Sequence, residues 1–299
     1  MAGKRLFTGC WVALVTPFLG DGRVDWARLR NLVEFQIAEG IDGLVPCGTT
    51  GESPALTAGE QGEIIRVAVE QARGRVPVVA GAGSNVTHHA VELTQQAEAV
   101  GAAGVLSVAP YYNKPTQEGF FRHYEAISRA TRLPVILYNV PGRTGSNLEP
   151  ATVWRLAERP NIVGLKEASG NLAQIMELLR SRPADFSILS GDDAFTWPML
   201  ALGAQGVVSV VANQVPRPFT EMVRAGLRRE FDRGLELHNR LLPLMNANFI
   251  ESSPIPVKAA LAMMGLIEEN YRLPLCPMQE ANRHKLRGVL SDLGLLKEG

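Results

Sequence analysis

The chain is poor in the residues that mark several large classes of protein. It has three cysteines in 299 residues, Cys10, Cys47 and Cys276, far apart and odd in number. Neither a disulfide scaffold nor a zinc knuckle fits that spacing. Three reduced, mostly buried thiols are expected instead. Neither sign of charge is in excess, since thirty Lys and Arg balance thirty Asp and Glu. A surface built to hold DNA or RNA needs surplus cation to displace counterions, so nucleic acid is not an expected partner. Long apolar runs are missing too. Gly206–Ala212 is typical of the longest, far below the roughly 20 residues of a membrane helix. Lys4 and Arg5 are followed by no apolar stretch of signal-peptide type, so a cytoplasmic protein without a membrane partner is expected. What is present is 46% hydrophobic and 20% charged, the make-up of an ordered chain able to bury a large core.

One pattern repeats along the chain: a short apolar run, a polar turn, then an amphipathic helix. The strand candidates are Trp11–Thr16, Asp42–Cys47, Val76–Ala82, Gly104–Ala109, Pro134–Val140, Ile162–Lys166, Phe186–Ser190 and Val207–Val211. They are apolar throughout, as strands buried on both faces are. Asp25 caps a segment whose Trp26, Leu29, Leu32, Val33 and Ile37 recur at helical spacing, and Gly40 stops it. Thr57 and Glu60 form a capping box for a helix that runs to about Ala72. Eight strands alternating with helices predict an α/β fold, a (β/α)8 TIM barrel over residues 1–227. An open sheet would carry a Gly-rich phosphate turn, and the nearest candidate, Gly81-Ala82-Gly83, has Val86 where the third glycine belongs. Residues 228–299 read as an all-helical C-terminal appendage of three helices, Phe231–Asn248, Pro256–Gly265 and Met278–Leu293.

In such a barrel the chemistry sits just past the C-terminal ends of the strands. Those positions hold Gly48-Thr49-Thr50-Gly51-Glu52, Tyr111-Tyr112-Asn113-Lys114, Tyr138 through Gly145, Lys166-Glu167 and Gly191-Asp192-Asp193. Only six of the thirty cations are lysines. Lys4, Lys285 and Lys297 stand in polar contexts and should be solvated. Lys166 follows Ile162-Val163-Gly164-Leu165, which would hold it in a packed barrel mouth. Burial there disfavours the ammonium, as an amine nucleophile requires. Gly164 shares its strand face and would leave room beside it. A rim lysine paired with Glu167 or Asp193 is the competing reading. Lys258 is the rival lysine, but one on a helix is expected to snorkel outward. Thr49 and Thr50 offer hydroxyls and amides for a carboxylate, or else merely a tight turn. Tyr138 could shuttle protons, or simply pack. Arg143, in a glycine-flanked loop, could hold a carboxylate bidentately or make a surface ion pair. No metal is expected: His88 and His89 are adjacent with diverging rings, and Asp192-Asp193 reads as a helix cap.

Taken in order, these segments resemble the dihydrodipicolinate synthase (4-hydroxy-tetrahydrodipicolinate synthase) family of the pyruvate-dependent class I aldolases. The resemblance also takes in Val12–Phe18, Gly206–Asn213 and Pro254–Lys258, so it spans nearly the whole chain. It implies a lyase that joins pyruvate to L-aspartate 4-semialdehyde in the diaminopimelate route of lysine biosynthesis. Lys166 matches the lysine that forms the Schiff base, so no cofactor is implied. Thr49, Tyr138 and Tyr112 match a proton relay, with Tyr112 lent by a neighbouring subunit. Thr50, Gly191 and Val208 match the pyruvate pocket, and Arg143 the contact to the second carboxylate. The implied assembly is a homotetramer, a dimer of dimers. Relatives inhibited by lysine bind it in a pocket matched by Asn85 and Tyr111. There His89 replaces a carboxylate, while Ala58 and Gln61 replace histidines, so weak or absent inhibition is expected. Ser253 stands where many relatives have Asn before Pro-Ile-Pro-Val-Lys, with little effect expected on chemistry. The alternatives are a sister aldolase, such as an N-acetylneuraminate lyase or a 2-keto-3-deoxy-sugar-acid aldolase, and a non-catalytic keto-acid-binding relative. Arg143 favours the synthase, and the intact lysine and relay set argue against the binder.

Overall fold

The computed structural model describes residues 7–296. Lys4 and Lys297 lie outside that range. Eight parallel strands follow the chain: β1 Gly9–Ala13, β2 Gly43–Val45, β3 Val79–Gly81, β4 Gly104–Val108, β5 Val135–Asn139, β6 Ile162–Glu167, β7 Ser187–Ser190 and β8 Gly206–Ser209. They pair in the order β2-β1-β8-β7-β6-β5-β4-β3. A single bridge, Leu44 to Val78, and the Gly81 N–H donated to Pro46 O at 2.9 Å bring the two ends together. The result is a nearly closed (β/α)8 barrel. The first strand begins two residues earlier than its apolar run suggests. Its register is set by β8, where Gly9 faces Gly206. A Cβ on Gly206 would lie 2.0 Å from the Gly9 carbonyl oxygen, so only glycine permits this approach. The last strand stops at Ser209 because Val211–Asn213 turns into a short 3-10 helix.

Alternation sorts the strand residues into two sets. Trp11, Ala13, Val45, Val79, Leu106, Ile136, Tyr138 and Val208 fill the barrel interior. Cys10, Val12, Leu44, Ala80, Val105, Leu137, Ile188 and Val207 face the helices. These are α1 Trp26–Ala38, α2 Ala58–Ala72, α3 Thr87–Ala99, α4 Gln117–Arg129, α5 Pro141–Thr144, α6 Pro150–Ala157, α7 Leu172–Arg180, α8 Asp193–Ala201 and α9 Pro216–Leu227. Asp25 caps α1 through the Arg28 N–H, and Thr57 with Glu60 forms the capping box of α2. Three further helices follow, α10 Phe231–Ala247, α11 Ile255–Met263 and α12 Glu280–Asp292. α10 packs on α8 and α9, and α12 packs on α10 and α11. Among the described residues, no helix is long and apolar enough to cross a membrane. Cys10 and Cys47 are buried and free, whereas Cys276 is free and exposed.

β6 breaks the alternation. Val135 pairs with Ile162, but Ile136 pairs with Gly164, leaving Val163 as an extra residue. Such a bulge re-aims every side chain beyond it. Ile162 and Leu165 face the helices. Strict alternation from Ile162 would send residue 166 outward as well. The extra residue turns Lys166 inward, level with Tyr138 on β5 and Leu189 on β7.

Candidate active site

Lys166 is 6% exposed and lies across the Tyr138 ring, with Nζ 4.1 Å from the ring centroid. Among the described residues it has no ion pair. The two carboxylates that could have paired with it are engaged elsewhere. Glu167, on the opposite strand face, accepts from Asn139 Nδ2 at 3.1 Å and from the Ser169 N–H at 2.6 Å. Burial raises its pKa above the usual carboxylate range. Asp193 accepts from the Val210 and Val211 N–H groups at 3.0 and 2.7 Å. Burial pushes its pKa up to about 6. Asp192, as expected, caps α8 through the Ala194 N–H. The room beside Lys166 does not come from Gly164, where a Cβ would strike Ser187 O at 2.8 Å. It comes from Gly191, where a Cβ would lie 2.9 Å from Lys166 Cε.

Lys166 and Tyr138 line a narrow pocket of about 30 Å³ together with Gly48, Thr49, Gly81 and Val108, above Leu106 in the barrel interior. Thr49, Ser53, Gly83 and Val108 also line a wider cavity of about 820 Å³ that opens outward past Ser84, Tyr111, Val140, Arg143 and Thr144. The two together form a funnel from solvent to the amine. Val208 lies in the barrel interior with Tyr138. Thr50 is buried in the turn after β2. That turn is tight: the Gly51 and Ser53 N–H groups both donate to Gly48 O, and Glu52 N–H donates to Thr49 O. The functional and tight-turn readings of this loop are therefore compatible.

Arg143 is exposed and belongs to the single helical turn α5, not to an irregular loop. Among the described residues it has no ion pair. Its Nη2 donates to Ser253 O at 3.2 Å, a contact that spans 110 residues of chain. Tyr112 is 90% exposed, with a positive φ of 66°. Its N–H donates to Thr144 O at 3.2 Å, which fixes the backbone while the phenol points into solvent. Tyr111 and His89 line the wide cavity, as do Ala58, Gln61 and Glu92. Asn85 contributes its carbonyl to Asn113 Nδ2 at 2.8 Å. His88 pairs with Glu92 at 3.2 Å, and its ring centroid lies 6.2 Å from that of His89. Among the described residues, no three His, Cys, Asp or Glu side chains cluster to hold a metal ion.

The expectation for Lys258 is overturned. It does not snorkel outward: it is 0% exposed and its ammonium pairs with Glu52. The surrounding sequence, Ile255-Pro256-Val257-Lys258-Ala259-Ala260-Leu261, carries no second polar residue and is buried all round. A helix without a polar face has no direction in which to snorkel, and that pattern is the signal that could have found the burial. Glu52 was legible only as the last residue of the polar turn after the second strand. Lys285 is exposed, as expected.

A buried amine aimed into the mouth of a (β/α)8 barrel, against a tyrosine ring and beneath a threonine turn, defines the class I aldolase type of lyase. Comparison with known proteins makes this specific. The model of the dihydrodipicolinate synthetase family matches residues 6–293. A 4-hydroxy-tetrahydrodipicolinate synthase of Koribacter versatilis is 56% identical over 97% of both chains. Among solved structures, dihydrodipicolinate synthase from Aquifex aeolicus superposes with a TM-score of 0.96 at 47% identity, covering 98% of this chain and 100% of that one. The Acinetobacter baumannii enzyme complexed with pyruvate gives 0.96 at 45% identity, covering 97% and 100%. The chain belongs to the dihydrodipicolinate synthetase family.

Proposed function

We propose that Lys166 is the amine that captures pyruvate, with Tyr138, Thr49 and Tyr112 as its proton relay. The activity is that of a 4-hydroxy-tetrahydrodipicolinate synthase, in the diaminopimelate route of lysine biosynthesis. One observation carries the assignment of the amine: Lys166 is buried in the narrow pocket against the Tyr138 ring and has no carboxylate partner among the described residues.

The chemistry follows from that placement. In its neutral form Lys166 attacks the pyruvate ketone, and loss of water leaves an imine. The protonated imine draws electrons, so a methyl proton leaves and an enamine forms. The enamine carbon bonds to the aldehyde carbon of aspartate semialdehyde, and the aldehyde oxygen takes up a proton. The substrate's own amine then adds to the imine carbon and expels Lys166. Each step moves a proton, which a positioned phenol and hydroxyl can carry. Thr50, Gly191 and Val208 are assigned to the pyruvate side by the family match, and Gly191 supplies the gap in which the lysine stem turns. Arg143 at the funnel's rim holds the carboxylate of the second substrate. The lysine supplies the electron sink, so we assign no cofactor and no metal.

Tyr112 would complete the relay of a second copy, since its phenol reaches away from its own funnel. A homotetramer built as a dimer of dimers, in the cytoplasm, is the corresponding assembly. Residues 1–227 would be its catalytic barrel and 228–299 its helical unit. Asn85, His89 and Tyr111 mark the position of an effector pocket. The carboxylate that lines this cavity, Glu92, is already paired with His88, so we assign weak or absent inhibition by lysine. Strong inhibition at sub-millimolar lysine would contradict this.

Borohydride reduction in the presence of pyruvate tests the central assignment. A mass increase on the peptide bearing Lys166 supports it. An adduct on Lys258, or none, overturns it. Turnover with aspartate semialdehyde against sugar-derived aldehydes then checks the second substrate, and a preference for the sugar aldehydes would point to a sister aldolase.

A further inference from the structure

The buried pair of Glu52 and Lys258 lies outside the funnel and takes no part in the chemistry above. Glu52 stands two residues past Thr50, with a positive φ of 56° that non-glycine residues rarely adopt. Its side chain is 1% exposed and that of Lys258 is 0% exposed. Lys258 Nζ donates to Oε1, and the Arg272 N–H approaches Oε2 at 3.4 Å. The Phe18 ring closes over the pair, with its centroid 4.3 Å from Lys258 Nζ. Such a pair is costly to bury and strongly disfavours any movement that would separate its charges. The turn is held from its other side by Thr16, whose hydroxyl donates to Gly51 O at 2.7 Å.

The same segment also reaches the other half of the site. Five residues before Lys258, Ser253 O accepts from Arg143 Nη2 at 3.2 Å. The contact uses a backbone carbonyl, so the departure from Asn to Ser at this position leaves it intact. Ser253–Lys258 therefore holds the Thr49-Thr50 turn through Glu52 at one end and Arg143 at the other. These two groups are assigned to the carboxylates of the two substrates.

We propose that Ser253–Lys258 is a strut that sets the spacing between the pyruvate cradle and Arg143, with Glu52 and Lys258 as positioning residues. The inference rests on the roles assigned above to Thr50 and Arg143. Neither Glu52 nor Lys258 is expected to touch substrate. Each end of the strut carries the group assigned to grip one substrate's carboxylate, so loosening the strut weakens the hold on both substrates.

The test uses the whole chain in its native assembly carrying Glu52→Gln and Lys258→Met together, which removes both buried charges rather than stranding one. Expected results are an unchanged circular dichroism spectrum and borohydride trapping of pyruvate on Lys166 at saturating concentration. KM rises about tenfold or more for both pyruvate and aspartate semialdehyde. A merely structural role would lower the active fraction, and so the apparent kcat, at unchanged KM. A folded double variant with both KM values within about twofold of wild type overturns the strut. If the double variant does not fold, Glu52→Asp, which keeps the charge but shortens its reach, is judged by the same two KM values. Failure of the underlying reading looks different, because the wild-type enzyme itself would then show no trapped adduct on Lys166.

Discussion

Lys166 and Lys258 are both buried, yet the fold treats them in opposite ways. Lys258 is packed among Phe18, Tyr271 and the apolar residues of α11, with a carboxylate against its ammonium. Burial pushes its pKa below the usual lysine value, while Glu52 pulls it back up. Lys166 has an aromatic face beside it, no carboxylate partner among the described residues, and an open funnel above. Burial is common to both and so cannot by itself mark a nucleophile. The difference is what the amine can reach: a fixed anion in one case, an incoming ketone in the other.

Four substitutions sharpen or break that contrast. Lys166→Ala should have the largest effect, lowering kcat by roughly ten-thousandfold or more in a steady-state assay and abolishing the borohydride adduct. Retention of either would mean that Lys258 or another amine is the nucleophile. Lys258→Met alone should leave activity per folded molecule measurable but destabilise the protein by about 3–5 kcal/mol in denaturant unfolding, because it strands the Glu52 carboxylate. An equally large loss of stability in the Lys166→Ala protein would erase the distinction between the two sites. Arg143→Ala should raise KM for the semialdehyde about thirtyfold, the value of a lost charged hydrogen bond, with little change for pyruvate. An equal rise for both substrates would place Arg143 elsewhere in the reaction.

The smallest effect concerns pH. Asp193 is buried, and burial raises its pKa from 3.8 to about 6. A pKa raised in the folded state means that folding favours the protonated form. Its contribution is complete below the unfolded value and is lost as pH rises through about 6. Asp193→Asn keeps an acceptor for the Val210 and Val211 N–H groups but cannot ionise. Thermal melts between about pH 4 and about pH 7 should therefore show the variant gaining on wild type by a few degrees as pH rises. A constant difference would mean that Asp193 is not titrating in this range.

The sequence made the barrel legible because its strands are apolar throughout and its helices are punctuated by caps such as Asp25 and Thr57. It also placed Lys166, Thr49, Tyr138 and Arg143 on one rim, because strand ends can be read from the ends of apolar runs. It did not place Lys258, since a snorkelling rule applies to a helix with one wet face and α11 has none. Nor did it identify Gly191 as the gap beside Lys166. That gap is a distance between neighbouring strand ends, and Gly164, the better candidate by strand parity, is pressed instead against Ser187.

The sequence by itself determined the architecture and the inventory: eight buried strands, balanced charge, and a lysine that directly ends an apolar strand at the rim. The direction of that lysine was decided only in the assembled barrel. Val163 is an extra residue in β6 opposite β5, and the glycine in Ile162-Val163-Gly164-Leu165 hints at a bulge without fixing where the extra residue falls. Register is a relation between two strands, set by how β6 must pair with β5 on one side and β7 on the other. Without the bulge, Lys166 would face the helices. With it, the amine meets the Tyr138 ring and the funnel. The pairing of Glu52 with Lys258 was decided in the same way, by the packing of a helix 206 residues away in the chain against a turn that needed an anchor.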